Sequence, residues 1–373
     1  MESYNAETME SQNKVQPSQQ PGKGTTFFRT CFNGLNALSD PLIKTYPDIG
    51  QLAFGSKGRV MISTFMYLEL YLVAVEFLIL EGDNLHKLFP NAYLHIGGHT
   101  IGGKQAFVLL TALMILPTTW LRSLGLLAYV SAGGVLASIV LVCSVFWAGA
   151  VDGVGFHERG MLWKWSGLPT AVSLFTVCYG GHAVFPTLCT SMKDRSQFPK
   201  VLLVCFVLST ISYASMAVLG YLMFGENLMS QVTLNLPTRN ISSKIAIYTT
   251  LINPITKYAI IVSPIATAVE DSYPFRNSRA LSILIRSVLV ISTAVVALTV
   301  PFFGCVMAFI GAFLSTSVSM LFPCLCYLKI NKAARSFGPE LMLITIIMVM
   351  GSLVAVVGTY SSLKEIVKHI QPQ

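Results

Sequence analysis

Residues 60–80 read VMISTFMYLELYLVAVEFLIL, 21 positions whose only charges are Glu69 and Glu76. About 20 apolar residues in helical geometry cross the hydrocarbon of a bilayer, so this stretch predicts a membrane-spanning helix. Outward from it, eight further runs have the same character: 105–121, 126–149, 168–190, 200–224, 244–269, 281–302, 304–328 and 340–360. Together they predict an all-α, polytopic membrane protein with about nine transmembrane helices. The composition agrees, with 53% hydrophobic and only 11% charged residues among 373, where a soluble domain carries about 25% charged. So few charges could not cover a soluble surface. That excludes a cytosolic enzyme or a nucleic-acid binder, and makes the net charge of +8 a matter of topology first.

The flanks divide the chain. Residues 1–30 are polar and read as a disordered cytoplasmic tail, with no apolar run that would act as a cleavable leader. Residues 31–59 read as a cytoplasmic segment with turn signals at Asp40-Pro41, Phe54-Gly55 and Lys57-Gly58. Residues 60–360 form the transmembrane domain, and 361–373 a short non-cytoplasmic tail. With the N-terminus inside, 15 Lys and Arg fall on the inner segments and 8 on the outer ones, while Lys257 and Arg286 lie within spans. This excess inside favours a cytoplasmic N-terminus. Asn240-Ile241-Ser242 lies in an outer loop and is a glycosylation candidate, although such triplets also arise by chance. The eight cysteines sit in apolar surroundings without the spacing of a disulfide framework or a zinc site, so no metal is expected.

Charge and broken helix inside a membrane each need a reason. Glu69 and Glu76 are two turns apart on one face, as a proton relay or as structural hydrogen-bonding groups. CYGGHAVFP at 178–186 makes poor continuous helix, and predicts either an unwound segment whose free backbone groups bind a solute or a packed kink. His182 is a proton-coupling candidate or a neutral imidazole bonded to a neighbour. A second interruption is expected at Asn253, Pro254, Thr256 and Lys257, where Lys257 has Glu69 as a candidate partner. Arg286 reads as snorkelling to the cytoplasmic surface. The run STSVS at 315–319 is either helix-helix glue or a polar wall. No phosphate-binding loop, dinucleotide fingerprint, HExxH or nucleophile elbow occurs, so neither catalysis nor a cofactor is expected.

These residues carry a resemblance. The stretches CFNGLNALS at 31–39, IKTYPDIG at 43–50, YLELYLVAVEFLILEGDN at 67–84, GGHAVFPT at 180–187 and NPITKY at 253–258 resemble the plant-type vacuolar transporters of the amino acid/auxin permease family. The likeness covers roughly residues 27–360. It implies a five-plus-five inverted-repeat fold, proton-coupled amino acid transport, and a vacuolar membrane, with the plasma membrane or another endomembrane as alternatives. Tyr179, Gly180, Gly181 and His182 are the implied substrate-site residues, with Asn253 and Thr256 beside them. Glu69, Glu76, His182 and Lys257 are the coupling candidates. The expected partners are amino acids, protons and the lipid bilayer.

The chain also departs from that family. After Ser39 it passes directly to Asp40-Pro41, where the family has two further helices, so an incomplete repeat of about nine spans is expected. Loss of two helices preserves the orientation of those that follow. It also leaves a second reading open: a truncated, non-transporting membrane protein that pairs with a full-length transporter or is an inactive product.

Overall fold

The structure, a computed structural model, describes residues 45–370 apart from 97–98, 121–123, 159–160, 162–163, 183–184, 193, 274–277 and 301–302. The expected tail at 1–30 and the junction at 39/40 lie outside the described residues.

The run at 60–80 is the middle of a longer helix, α1 (Tyr46–Leu88). Its start is built locally: the Thr45 N–H and hydroxyl both donate to Asp48 Oδ2 at 2.8 Å, with Pro47 in the first turn. Gly55, at φ +68°, kinks the helix, a conformation that favours glycine. The kink folds 46–54 back so closely that a methyl on Gly58 would lie 2.4 Å from the Gly50 carbonyl oxygen. The Tyr46 hydroxyl then donates to the Val318 carbonyl at 2.6 Å. From residue 46 onward, therefore, the stretch expected as a connector is helix packed on the bundle.

A two-stranded hairpin, β1 (Leu94–Ile96) with β2 (His99–Ile101), leads to α2 (Gly103–Thr119) and α3 (Leu124–Ala150). Then come α4 (Leu168–Cys178), α5 (Phe185–Ser191), α6 (Phe198–Phe224), α7 (Ile241–Asp271) and α8 (Arg279–Thr299). The last two are α9 (Phe303–Ile330) and α10 (Pro339–Ile370). Every expected run holds a helix, but only 7 of the described helices are long and apolar enough to cross a membrane. At 17 residues, α2 extends about 26 Å, short of the hydrocarbon's 30 Å. The 168–190 run is divided between α4 and α5. Two other expectations change. The 244–269 run is one continuous helix despite Pro254 and Pro264. And α10 continues to Ile370, so residues 361–370 of the expected tail are helical.

Chain ends that alternate crossing would place together are bonded together. On one side, the Lys87 ammonium donates to the Leu234 carbonyl, Gln231 Nε2 to Asp83 Oδ2, and Ser242 Oγ to Asp152 Oδ2. On the other, Arg286 Nη1 donates to the Thr119 carbonyl at 2.9 Å and Trp120 Nε1 to Ser287 Oγ at 3.2 Å. Between these ends, Ala74, Val75, Leu78 and Ile79 of α1 meet Val108 and Ile115 of α2, Tyr258 and Val262 of α7 and Val290 of α8. Leu203, Val204, Leu208 and Ile211 on α6 are exposed, as suits a face toward lipid rather than water.

Candidate functional site

The backbone break between α4 and α5 is the centre of the site. Tyr179 leaves helical geometry at φ −105°, ψ 9°, and the Gly180 N–H turns back to the Val177 carbonyl at 2.9 Å. Among the described residues, the N–H groups of Gly181 and His182 have no backbone partner. Two consecutive glycines resist helix, and Pro186 suits the first turn of the new one.

What the break faces is supplied by α1 and α9. A methyl on Gly180 would sit 3.4 Å from Glu69 Oε1 and 3.7 Å from Ser315 Oγ. Ser315 Oγ donates to that same Glu69 oxygen at 2.5 Å, and both side chains are buried. The middle of α9 is π-helical over Ile310–Ser315 and Ser317–Leu321, with the Thr316 hydroxyl donating to the Gly311 carbonyl five residues back at 2.7 Å. Such widened turns recur at functional sites because they turn side chains and carbonyls off the regular helical row. Here the widening starts where α4 comes nearest. A methyl on Gly311 would lie 1.9 Å from the Ser173 carbonyl oxygen. Backbone-to-backbone packing thus holds the break against the Glu69–Ser315 pair.

A cavity of about 150 Å³ opens at the break, lined by Cys178, Tyr179, Gly180, Gly181, Phe206 and Ser209 among others. A space of that size holds a benzene-sized guest. The Tyr179 ring is stacked on Phe206 at 5.7 Å and its hydroxyl hydrogen-bonds the Thr210 hydroxyl at 2.7 Å, so one wall is held from both ends. A larger groove of about 500 Å³ between α3 and α6 is lined by Val142, Cys143, Phe146, Trp147, Ser215, Val218 and Leu219. Its lining is mostly apolar and carries no charged side chain to pair with a charged solute.

The remaining expected site residues are placed elsewhere or differently. Asn253 and Lys257 lie against α3, where a methyl on Gly134 would be 3.2 Å from Asn253 Oδ1 and 3.7 Å from Lys257 Cε. The Thr256 hydroxyl donates to the Asn253 carbonyl on its own helix at 2.9 Å. No hydrogen bond or ion pair among the described residues joins these three to the break, and Lys257 is not the partner of Glu69; Ser315 is. His182 packs on the Phe185 ring at 4.9 Å, its Nδ1 buried without a partner. Glu76 is 1% exposed and neither carboxyl oxygen has a hydrogen bond. Asn240 starts α7 half-buried, its amide directed at the Asp152 carbonyl 3.4 Å away.

Arg286 corrects its expected role. It is 4% exposed, donating from Nε to Glu270 Oε1 at 3.0 Å and from Nη1 to the Thr119 carbonyl, while Ser282 Oγ donates to Glu270 at 2.7 Å. A guanidinium surrounded by acceptors stays inside rather than reaching for the surface. The signal that could have shown it was Glu270, an acid near the end of α7 that the short loop to α8 returns to Arg286.

The family described as "Transmembrane amino acid transporter protein" matches residues 30–364. The chain is similar to "Amino acid transporter AVT1I" of Arabidopsis thaliana, 47% identical over 390 positions, covering 93% of this chain and 96% of that protein. "Amino acid transporter AVT1J" of the same plant is 46% identical, covering 93% and 92%. "Amino acid transporter ANT1", also from that plant, is 26% identical, covering 86% and 77%. In the first alignment, 93% of 373 residues is about 347, against 390 aligned positions. The relative therefore carries about 43 positions that have no counterpart here, the length of two membrane spans.

Proposed function

The chain belongs to the transmembrane amino acid transporter family, and from that premise we propose that it carries amino acids across a membrane by alternating access around the α4–α5 break, coupled to protons. One observation carries the reading: Gly180 at the break lies beside the Glu69–Ser315 pair and lines the small cavity. An α-amino acid has a carboxylate and an ammonium on one carbon. The N–H groups of Gly181 and His182 suit the first, and the Glu69 carboxyl suits the second. Tyr179, Gly180, Gly181 and His182 form the cradle, with the Tyr179 ring beside the substrate side chain. Glu69, in contact with the cradle, is the foremost coupling group, and Glu76 lies two turns beyond it. Asn253, Thr256 and Lys257 stand outside the cradle in this arrangement. The N-terminus is cytoplasmic, from the distribution of Lys and Arg, and the membrane is the vacuolar one, by resemblance.

The test is flux through the purified full chain in proteoliposomes. Labelled neutral amino acids should enter faster than into empty vesicles, and an imposed pH gradient should raise the accumulation. A chain that moves no amino acid, while a version extended by the two-span length of its relatives does, overturns the reading for this chain. The alternative, a non-transporting product, finds no support in the family match.

A further inference from the structure

We propose that protons reach the break along a single stripe of α1, from Asp83 at its outer end past Glu76 to Glu69; this rests on the proton-coupled reading above. The three acids are seven residues apart, so on a helix of 3.6 residues per turn they form one row that drifts by only about 20° per step. Each step rises about 10.5 Å. After Gly55 no residue of α1 leaves helical geometry, so the row runs along regular helix.

Each member is in a different setting, and the settings form a sequence. Asp83 is at the mouth, its side chain 15% exposed, with Lys104 Nζ at 2.5 Å and Gln231 Nε2 at 3.1 Å. Gln231 belongs to the loop before α7 and accepts from Asn84 Nδ2 at 2.6 Å, which closes the mouth from above. Glu76 is enclosed, flanked on its helix by buried Val75, Leu78 and Ile79, and neither of its oxygens is bonded. A carboxyl buried without partners is expensive to keep; Glu81 is as buried, with Oε1 unbonded, but lies off the row, and Glu76 alone stands on it between Asp83 and Glu69. Glu69 is at the far end, bonded to Ser315 and beside Gly180.

The chemistry favours a proton over a metal cation. A metal ion needs several oxygen ligands at once, and no further polar atom bonds Glu76 among the described residues, whereas a proton needs one oxygen. Other titratable groups on the surrounding elements include Tyr67, Tyr71 and Glu81 on α1, with His86 and Lys87 at its outer end, Lys104 on α2, Lys257 and Tyr258 on α7, and on α8 Arg286, which Glu270 matches. Steps of about 10.5 Å exceed a hydrogen bond, so transfer needs water between the carboxyls. In this arrangement Glu76 is 1% exposed to solvent. The row conducts only when the Gln231–Asp83 mouth opens, which ties proton movement to the alternation of states.

The experiment uses the full chain in proteoliposomes with two readings: amino acid exchange without a gradient, and accumulation under a one-unit pH gradient. One proton per substrate gives about tenfold accumulation in the wild type. Glu76→Gln should exchange normally and accumulate nothing beyond equilibrium. Asp83→Asn, near the surface, should reach the wild-type accumulation several-fold more slowly. Independently of transport, dicyclohexylcarbodiimide, which seeks carboxyls in apolar settings, should label Glu76 as read by mass spectrometry. A wild type that exchanges no amino acid overturns the transport reading and this path with it. A wild type that exchanges normally while Glu76→Gln still accumulates tenfold overturns the path alone. So does accumulation driven by sodium and indifferent to pH, loss of exchange together with accumulation in Glu76→Gln, or a Glu76 that resists the carbodiimide.

Discussion

Replacing Gly311 with alanine puts a methyl where the backbone of α4 already lies. The added carbon would sit 1.9 Å from the Ser173 carbonyl oxygen and 2.7 Å from both the Ser173 carbonyl carbon and Val177 Cγ2. Ordinary contact begins near 3.4 Å, so α4 and α9 must separate by about 1.5 Å. Overpacking costs about 1–3 kcal/mol, and because the obstacle is backbone that cannot rotate away, we expect about 3 kcal/mol here. For a chain of this size that is a fall in Tm on the order of 5 °C. The same displacement carries Gly180 away from Glu69 and Ser315, so flux should fall at least about tenfold, as misplacement by an ångström does elsewhere. The assay is thermal unfolding in detergent beside proteoliposome flux. Gly133→Ala, where an added methyl meets nothing within 4 Å, serves as the control and should match the wild type. If Gly311→Ala also keeps its Tm and its flux, the close approach of α4 to α9 is not what positions the break.

Other outcomes follow from named contacts. Glu270→Gln or Arg286→Met should each destabilise by about 3–5 kcal/mol by leaving a buried charge unmatched, while Glu270→Leu with Arg286→Met recovers most of it; additive losses in a melting series would count against the pairing. Ser315→Ala removes the hydrogen bond to Glu69, and should raise the KM for amino acid several-fold while lowering stability by about 1 kcal/mol; an unchanged KM removes Ser315 from the site. Tyr179→Phe loses only the Thr210 bond and should transport nearly as well as the wild type, whereas Tyr179→Ala also loses the stacked ring and should transport at least about tenfold more slowly; equal flux in the two variants refutes the wall. Lys257→Met should leave exchange intact, since Lys257 makes no ion pair with Glu69, and a loss rescued by Glu69→Gln would show that the two do meet.

Much of the molecule was legible locally. Hydropathy over about 20 residues is a property of the segment itself, so every apolar run holds a helix, the 168–190 run two of them. The break at 178–186 was legible for the same reason, since Gly180, Gly181 and Pro186 act on their own backbone. Where local rules misled, tertiary packing had overruled them. Two prolines suggested that 244–269 is interrupted, yet α7 passes through both. Packing of α7 along α1 and α3 holds it helical across the carbonyls that the two prolines leave without an N–H partner.

The amino-acid order by itself determined that this chain is a helical membrane protein, where one of its apolar runs breaks, and that carboxyls stand seven residues apart on α1. Each of these rests on neighbours within about two turns, or on hydrophobicity summed over one segment. Only the tertiary structure decided partners. Glu69 met Ser315, 246 residues away, rather than Lys257. Arg286 stayed inside with Glu270, and among the described residues Glu76 has no hydrogen-bond partner. Which polar group meets which depends on how the described helices close on one another, and that close packing is set by contacts such as Gly311 on Ser173, between residues that no local pattern connects.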